Sequence, residues 1–460
     1  MGQVFTPQEI VREMLDKINF TNSNALTSKI MEPSFGDGAF LTEIVSRIMF
    51  YGKKQKLNNN EILKIILNNV FGIEKDKNLY QVAIEHIRNL LSKNGIEYEG
   101  EFHNLLNGDT IELHTNYLGA FKYVVGNPPY VRRRNWDNPN LIKSLSFTSS
   151  GMCDLYIAFF DIGIQMLNND GKLCYITPNS YFNSSSAKTM RKYIIENNIL
   201  TNIKNYGHEQ VFDNATTYCC ITTIDKTNNK PQIIYEENNN IKTYNYDTFY
   251  LADKFFFNIC EDFDKISNYK GNNICTVKNG CATLMDKFFI NSELSKSSNF
   301  VIQIIKASTG KKYFCFYPYD KDGNIIDFGT IQQKEPRTAQ FLLENKELLE
   351  QRTIDKNAMW YGFGRSQAIN DTYKKKYVIN SLYKEKTDIH IYACEDACAV
   401  YSGLYILTQL NQTELENILI SDSFIKYVKA LGKYKSGGYY TASSKDIEKF
   451  INFSYNKTIC

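Results

Sequence analysis

Lys29-Ile30-Met31-Glu32-Pro33-Ser34-Phe35-Gly36-Asp37-Gly38-Ala39-Phe40 is the stretch on which the fold turns. A short apolar run ends on a carboxylate and a proline, two glycines follow, and an apolar helical pattern begins at Ala39. Strand, Gly-rich turn and helix in that order open a βαβ unit. The glycines let the backbone turn tightly and approach a ligand, with the helix amides pointing at it. The spacing matches neither G-x-G-x-x-G nor G-x-x-x-x-G-K-[ST], which argues against a dinucleotide or a triphosphate.

Working outward, Val70-Phe71-Gly72-Ile73-Glu74 reads as a second strand, followed by a helix over about 78–91 with Leu79, Val82, Ala83, Ile87 and Leu90 at helical spacing. The polar, helical stretch 52–69 lies between the turn and that strand. A third strand ends at Gly108-Asp109, and a fourth, 123–126, runs into Asn127-Pro128-Pro129-Tyr130. A helix at 155–167, a strand at 172–177, a helix at 188–196 and strands near 203–206 and 218–225 follow. This alternation predicts an α/β, Rossmann-like, doubly wound domain of seven strands complete by about residue 230. The polar stretch 236–240 reads as a linker. Domains are therefore expected at 1–240 and 245–460, the second an irregular α+β domain.

Composition bounds the function. The chain has 460 residues, 43% of them hydrophobic, with 53 Lys+Arg against 50 Asp+Glu, an ordinary globular balance. No apolar run reaches the roughly 18 to 20 residues that cross a bilayer, and the first residues lack a signal pattern, so a cytoplasmic protein away from membranes is expected. The 11 cysteines scatter through presumed core strands and read as reduced and buried. Cys394 and Cys398 are the nearest approach to a metal pair; with five His in the chain and no second pair nearby, no metal is expected. A net charge of +3 permits nucleic acid as a partner without requiring it.

The chemistry-bearing residues fall at strand ends. Glu32, Glu74 and Asp109 end successive strands on the carboxyl edge, where sheets of this kind bind ligands. A carboxylate at Glu74 can accept both hydroxyls of a ribose, and Asp109 an adenine amino group. In Asn127-Pro128-Pro129-Tyr130 the two prolines fix the backbone and remove amide donors, presenting carbonyls and the Asn side chain as acceptors. An amino or amide nitrogen giving its protons to Asn127 Oδ1 and the Pro128 carbonyl becomes pyramidal, its lone pair free to face an electrophilic methyl. No strong general base is needed. Tyr130 is placed to stack on the ring that carries the amine.

Together these motifs resemble the gamma class of DNA amino-methyltransferases, of the TaqI modification methylase type, which methylate the exocyclic amine of adenine from S-adenosylmethionine. The resemblance covers the first half, from Gly2-Gln3-Val4-Phe5-Thr6-Pro7 to the catalytic loop. It implies cofactor contacts from Thr6, Pro7, Glu32, Pro33, Ser34, Phe35, Gly36, Gly38, Glu74, Lys75, Asp109, Thr110, Asn127 and Pro129. Catalysis falls to Asn127, Pro128, Pro129 and Tyr130, with Phe212 as a second aromatic sandwiching the flipped base. The implied partner is double-stranded DNA. Arg132, Arg133 and Arg134 would grip phosphates beside the extruded nucleotide. Two aromatic loops of the second domain resemble the family's target-recognition segments: 360–367, with Arg365 and Gln367, and 433–440, with Lys433 and Lys435.

Rival readings are a protein glutamine methyltransferase, a cytosine-N4 DNA methyltransferase and a non-catalytic DNA-binding subunit. The first resembles a shorter chain with a helical domain before its cofactor motif; the second more usually has Ser or Asp where Asn127 stands. The third retains chemical groups it does not need. No P-D with E-x-K nuclease pattern stands out. The expected role is therefore the modification enzyme of a type II restriction-modification system, protecting DNA against a separate endonuclease, with solitary epigenetic marking as the variant the sequence does not separate from it, and with a monomer sufficient.

Overall fold

The computed structural model describes residues 6–149, 153–212, 217–394 and 397–459. They divide into two compact units, Met1–Phe256 and Phe257–Cys460.

The first unit is built on one nine-stranded sheet: β1 (Ile30–Glu32), β2 (Val70–Glu74), β3 (Leu105–Asn107), β4 (Phe121–Gly126), β5 (Leu167–Pro178), β6 (Leu200–Asn205), β7 (Cys219–Asp225), β8 (Gln232–Glu237) and β9 (Asn240–Asn245). Their order is β3-β2-β1-β4-β5-β7-β6-β8-β9. The first five strands run parallel, and β7 is antiparallel to both β5 and β6. The chain winds outward from β1 to β3, then returns to place β4 on the other side of β1. That reversal opens a crevice at the carboxyl ends of β1 and β4, where open α/β sheets bind ligands.

Among the described residues helices flank these strands: α1 (Gln8–Lys17), α2 (Asn22–Thr27), α3 (Ala39–Lys54), α4 (Asn59–Asn69), α5 (Lys77–Lys93), α6 (Thr110–Leu113), α7 (Pro139–Lys143), α8 (Leu155–Met166), α9 (Lys188–Glu196) and α10 (Tyr246–Phe249). On α3, Phe40, Leu41, Ile44, Val45 and Ile48 are buried in a core shared with Ala83, Ile87 and Leu91 of α5. Gly38, with φ of +87°, lets α3 start against α5: a Cβ there would lie 2.9 Å from the Cβ of Ala83. The polar stretch before β2 forms α4. It opens with a capping box in which Asn58 accepts from the Glu61 amide and Glu61 from the Asn58 amide.

Two expectations need correcting. The sheet has nine strands where seven were expected, and residues 236–240 do not link domains. Asn238 and Asn239, at φ of +50° and +61°, make the two-residue turn of the antiparallel β8–β9 hairpin. Asn tolerates left-handed backbone, which suits such turns. Alternation along β8 buries Ile233 and Tyr235 while Ile234 is exposed, so the hairpin extends the sheet past β6.

The second unit is α+β. Strands Cys275–Asn279, Leu404–Thr408, Lys376–Ile379 and Ile391–Cys394 form an antiparallel sheet in that order. Smaller three-stranded sheets and helices such as Gln412–Leu419, Asp422–Ala430 and Ser444–Ile459 surround it. Among the described residues no helix is long and apolar enough to cross a membrane, and no three His, Cys, Asp or Glu side chains cluster to hold a metal.

Candidate active site

A cavity of about 260 Å³ opens in the first unit at the carboxyl ends of β1, β2 and β4. Its floor is the Gly-rich turn. Gly38 N–H donates to the Phe35 carbonyl at 2.8 Å, and Gly36 N–H donates to Glu74 Oε2 at 2.8 Å. The other oxygen of Glu74 accepts the Asp76 amide at 2.8 Å. One carboxylate thus joins the turn after β1 to the turn after β2, and both its oxygens carry further lone pairs.

Glu32, at the end of β1, is 1% exposed, and its Oε2 is buried without a hydrogen-bond partner among the described residues. Burial pushes its carboxyl well above the usual range, and the charges of Glu74 and Asp37 push the same way. A buried carboxylate of this kind is relieved by a cation.

Asp109 caps α6, accepting the Ile111 amide at 2.9 Å, and its Oδ2 lies 3.1 Å from Lys75 Nζ. The Thr110 hydroxyl donates to the Pro33 carbonyl, tying α6 to the Gly-rich turn. Asn127 begins the loop after β4; its Nδ2 donates to Thr6 Oγ1 at 3.2 Å. That bond turns the carbamoyl oxygen to the opposite edge. Tyr130 is held by its hydroxyl, which donates to the Ile176 carbonyl at 3.1 Å, and its ring meets Tyr156 edge-on. Burial raises the Tyr130 phenol well above its ordinary value, so it stays neutral.

The cavity brings together Thr6, Glu32, Pro33, Ser34, Phe35, Gly36, Glu74, Lys75, Asp109, Thr110, Asn127, Pro128, Pro129 and Tyr130. Three expected residues lie outside its lining. The Pro7 carbonyl starts α1 by accepting the Ile10 and Val11 amides, and Gly38 serves helix packing. Phe212 is 2% exposed, a core side chain in the same cluster as Ile176 and Cys219. Its ring is occupied by packing and presents no open stacking face in this form. Residues 2–5 lie outside the described residues.

Beyond the catalytic loop, Arg132 is exposed and its backbone pairs with that of Asp154 in an isolated antiparallel β-bridge, and the Arg133 guanidinium sits 5.9 Å from the Trp136 ring centre. The Arg134 side chain lies outside the described residues. Sequence reasoning missed Trp136, Asp137 and Asn138, which also line the cavity. One signal was available: Trp136 is one of two tryptophans and stands two residues after the arginine run.

In the second unit, Arg365 pairs with Asp355 at 2.8 Å, Gln367 donates to the Gly280 carbonyl at 2.7 Å, and Lys433 pairs with Asp446. Lys435 is exposed.

The sheet order and the strand-end cavity define the class: an open, doubly wound α/β fold with its cavity at the switch point between β1 and β4. Residues 55–212 match the family model of the Eco57I restriction-modification methylase. The chain is similar to type II restriction-modification methyltransferases, in keeping with the gamma-class resemblance of its motifs. It is 25% identical over 500 residues to the type II restriction enzyme and methyltransferase RM.Eco57I of Escherichia coli, covering 84% of this chain and 50% of that protein. To the type II methyltransferase M.BstVI of Geobacillus stearothermophilus it is 23% identical, covering 78% of this chain and 73% of that one. The chain thus spans about half the length of the Escherichia coli relative. Its fold is similar to that of the type IIL restriction-modification enzyme MmeI in complex with DNA, at a TM-score of 0.61 and 14% identity, over 95% of this chain and 65% of that one. It is also similar to a nuclease-deletion mutant of the type ISP enzyme LlaGI, at 0.59 and 14%, over 99% and 54%.

Proposed function

We propose that this protein is a DNA methyltransferase that transfers a methyl group from S-adenosylmethionine to the N6 amine of a flipped adenine, as the modification enzyme of a type II restriction-modification system. The observation that carries the reading is the meeting of Asn127-Pro128-Pro129-Tyr130 with Glu32, Glu74 and Asp109 in one cavity. When bound, the cofactor supplies an electrophilic methyl on a sulfonium. The chain's residues fit it: Glu32 offers a buried carboxyl that ionises to meet a cation, Glu74 accepts hydrogen bonds from ribose hydroxyls and Asp109 from an adenine amine. Asn127 Oδ1 and the Pro128 carbonyl accept hydrogen bonds from the target amine, moving its lone pair out of conjugation and toward the methyl; the nitrogen takes the positive charge as the methyl leaves sulfur, and one of its protons then passes to solvent. Tyr130, pinned through its hydroxyl, offers its ring face to the extruded base.

Target recognition is assigned to the second unit, with Arg365, Gln367, Lys433 and Lys435 as its candidate contacts. Double-stranded DNA is the partner, one copy of the chain is sufficient, and the reading places the enzyme in the cytoplasm beside a separate endonuclease. The test is single-molecule sequencing of DNA from a methylation-deficient bacterial host expressing the chain, beside an Asn127→Ala control. A discrete motif bearing 6-methyladenine with the wild type alone is expected. 4-Methylcytosine instead would reassign the base, and unmodified DNA with both would point to a protein amide substrate or to a missing partner subunit.

A further inference from the structure

We infer that residues 131–143 are a roof over the cofactor cavity, latched at its rim by Lys75, and that cofactor exchange requires the latch to open. The inference rests on the cofactor reading above and adds to it how that site is regulated. The segment leaves the catalytic loop at Val131, makes one turn at Arg133–Asn135 and ends in α7. Its underside is apolar: Trp136 is 8% exposed, Ile142 is buried, and both line the cavity. Trp136 is braced from within the segment, donating from Nε1 to the Val131 carbonyl at 3.3 Å.

One edge of the roof continues covalently into the loop after β4. The opposite edge is held to the rim by two polar contacts. Lys75 Nζ lies 2.6 Å from Asp137 Oδ2 and 3.1 Å from Asp109 Oδ2, bridging the segment to the end of β3. Asn138 Nδ2 donates to Glu112 Oε1 of α6 at 3.0 Å. These rim contacts are accessible to solvent: the Lys75 and Asp137 side chains are 55% and 75% exposed. An exposed pair is weak enough to break often and is screened by salt. A covalent hinge, an apolar ceiling and a weak polar clasp together make a gate. The clasp closes whether or not the cavity is filled, so it slows entry and exit alike.

That symmetry supplies the test. Binding of S-adenosylhomocysteine is followed by stopped-flow tryptophan fluorescence, with affinity measured by calorimetry. Asp137→Asn is expected to raise the association and dissociation rate constants together, each about two- to fivefold, with Kd changing less than about twofold. Asn138→Ala, which breaks the other rim contact, is expected to act in the same direction. High salt should mimic Asp137→Asn in the wild type and do less in that variant. Faster dissociation with unchanged association would make Asp137 an ordinary ligand contact and overturn the gate, as would unchanged rates in both variants. Failure of the wild type to bind S-adenosylhomocysteine by calorimetry would instead overturn the cofactor reading, and the gate with it.

Discussion

The Gly-rich turn and strand-end acids of the first unit and the aromatic loops of the second were both read from sequence as functional, and the structure treats them differently. In the first, fourteen of the expected residues line one cavity, and Glu32 buries an unmatched carboxylate oxygen there. In the second, Arg365, Gln367 and Lys433 each bond within the chain, to Asp355, to the Gly280 carbonyl and to Asp446. The difference follows from how position is specified. A residue at the end of a central parallel strand is delivered to the carboxyl edge by topology, whatever its neighbours. A charged residue on a loop is placed by local pairing, and its sequence context does not say whether its partner is the protein or a ligand.

The largest expected effect lies in the first region. Asn127→Ala removes an acceptor for the target amine, so turnover should fall by about a hundred- to a thousandfold or more, while cofactor binding by calorimetry is largely retained. Equal loss of binding and turnover would recast Asn127 as a structural residue tying Thr6 to the loop. Next comes Glu74→Ala. It should weaken S-adenosylmethionine binding by about ten- to a hundredfold, since hydrogen bonds to a charged group are lost. Because Glu74 also holds the Gly36 and Asp76 amides, thermal denaturation should show a lower Tm. Unchanged affinity would remove the ribose role.

Much of this half was legible because its signals are local. β2 and α9 fall at the bounds the apolar patterns indicate, and the acids at strand ends mark the binding edge. What escaped the sequence depends on distant neighbours. Asn238-Asn239 has the composition of a linker, and only the pairing of β8 with β9 makes it a hairpin turn. Gly38 serves ligand approach or helix packing equally well until Ala83 is placed beside it. Phe212 reads as a stacking aromatic until the core around Ile176 closes over it. Asp137 acquires meaning from Lys75, 62 residues earlier.

Glu32 sharpens the contrast through pH. Its carboxyl is raised by burial first, then by Glu74 and Asp37, so in the empty cavity it holds its proton above the ordinary carboxylate range. An acid whose folded pKa is raised makes the empty protein less stable as pH rises from that ordinary range through the raised value. A cation binds the ionised form. Affinity for S-adenosylhomocysteine, which carries an ammonium, should therefore rise with pH across the same window, by at most about tenfold per pH unit, with proton release on binding. Calorimetry in buffers of different ionisation heat measures that release. Glu32→Gln should abolish the release, lower the affinity and raise the Tm of the empty protein at neutral pH. Proton release persisting in the variant would assign it to another group.

The smallest effect probes the second region. If intramolecular pairing competes with DNA for Arg365, then Asp355→Ala frees the guanidinium and removes a negative charge beside it. Affinity for duplex DNA should rise by about two- to fivefold, the range set by the exposure of this ion pair. Arg365→Ala should weaken binding; if the contact is to a phosphate, the slope of log affinity against log salt should shrink by about one. The double variant should behave like Arg365→Ala alone. Asp355 also accepts the Ser366 amide at 2.9 Å, so a different outcome is informative. Weaker binding by Asp355→Ala would show that the pair scaffolds the loop for DNA, and the two regions would then differ in degree: both would present pre-positioned groups, one by strand topology and the other by a carboxylate clamp.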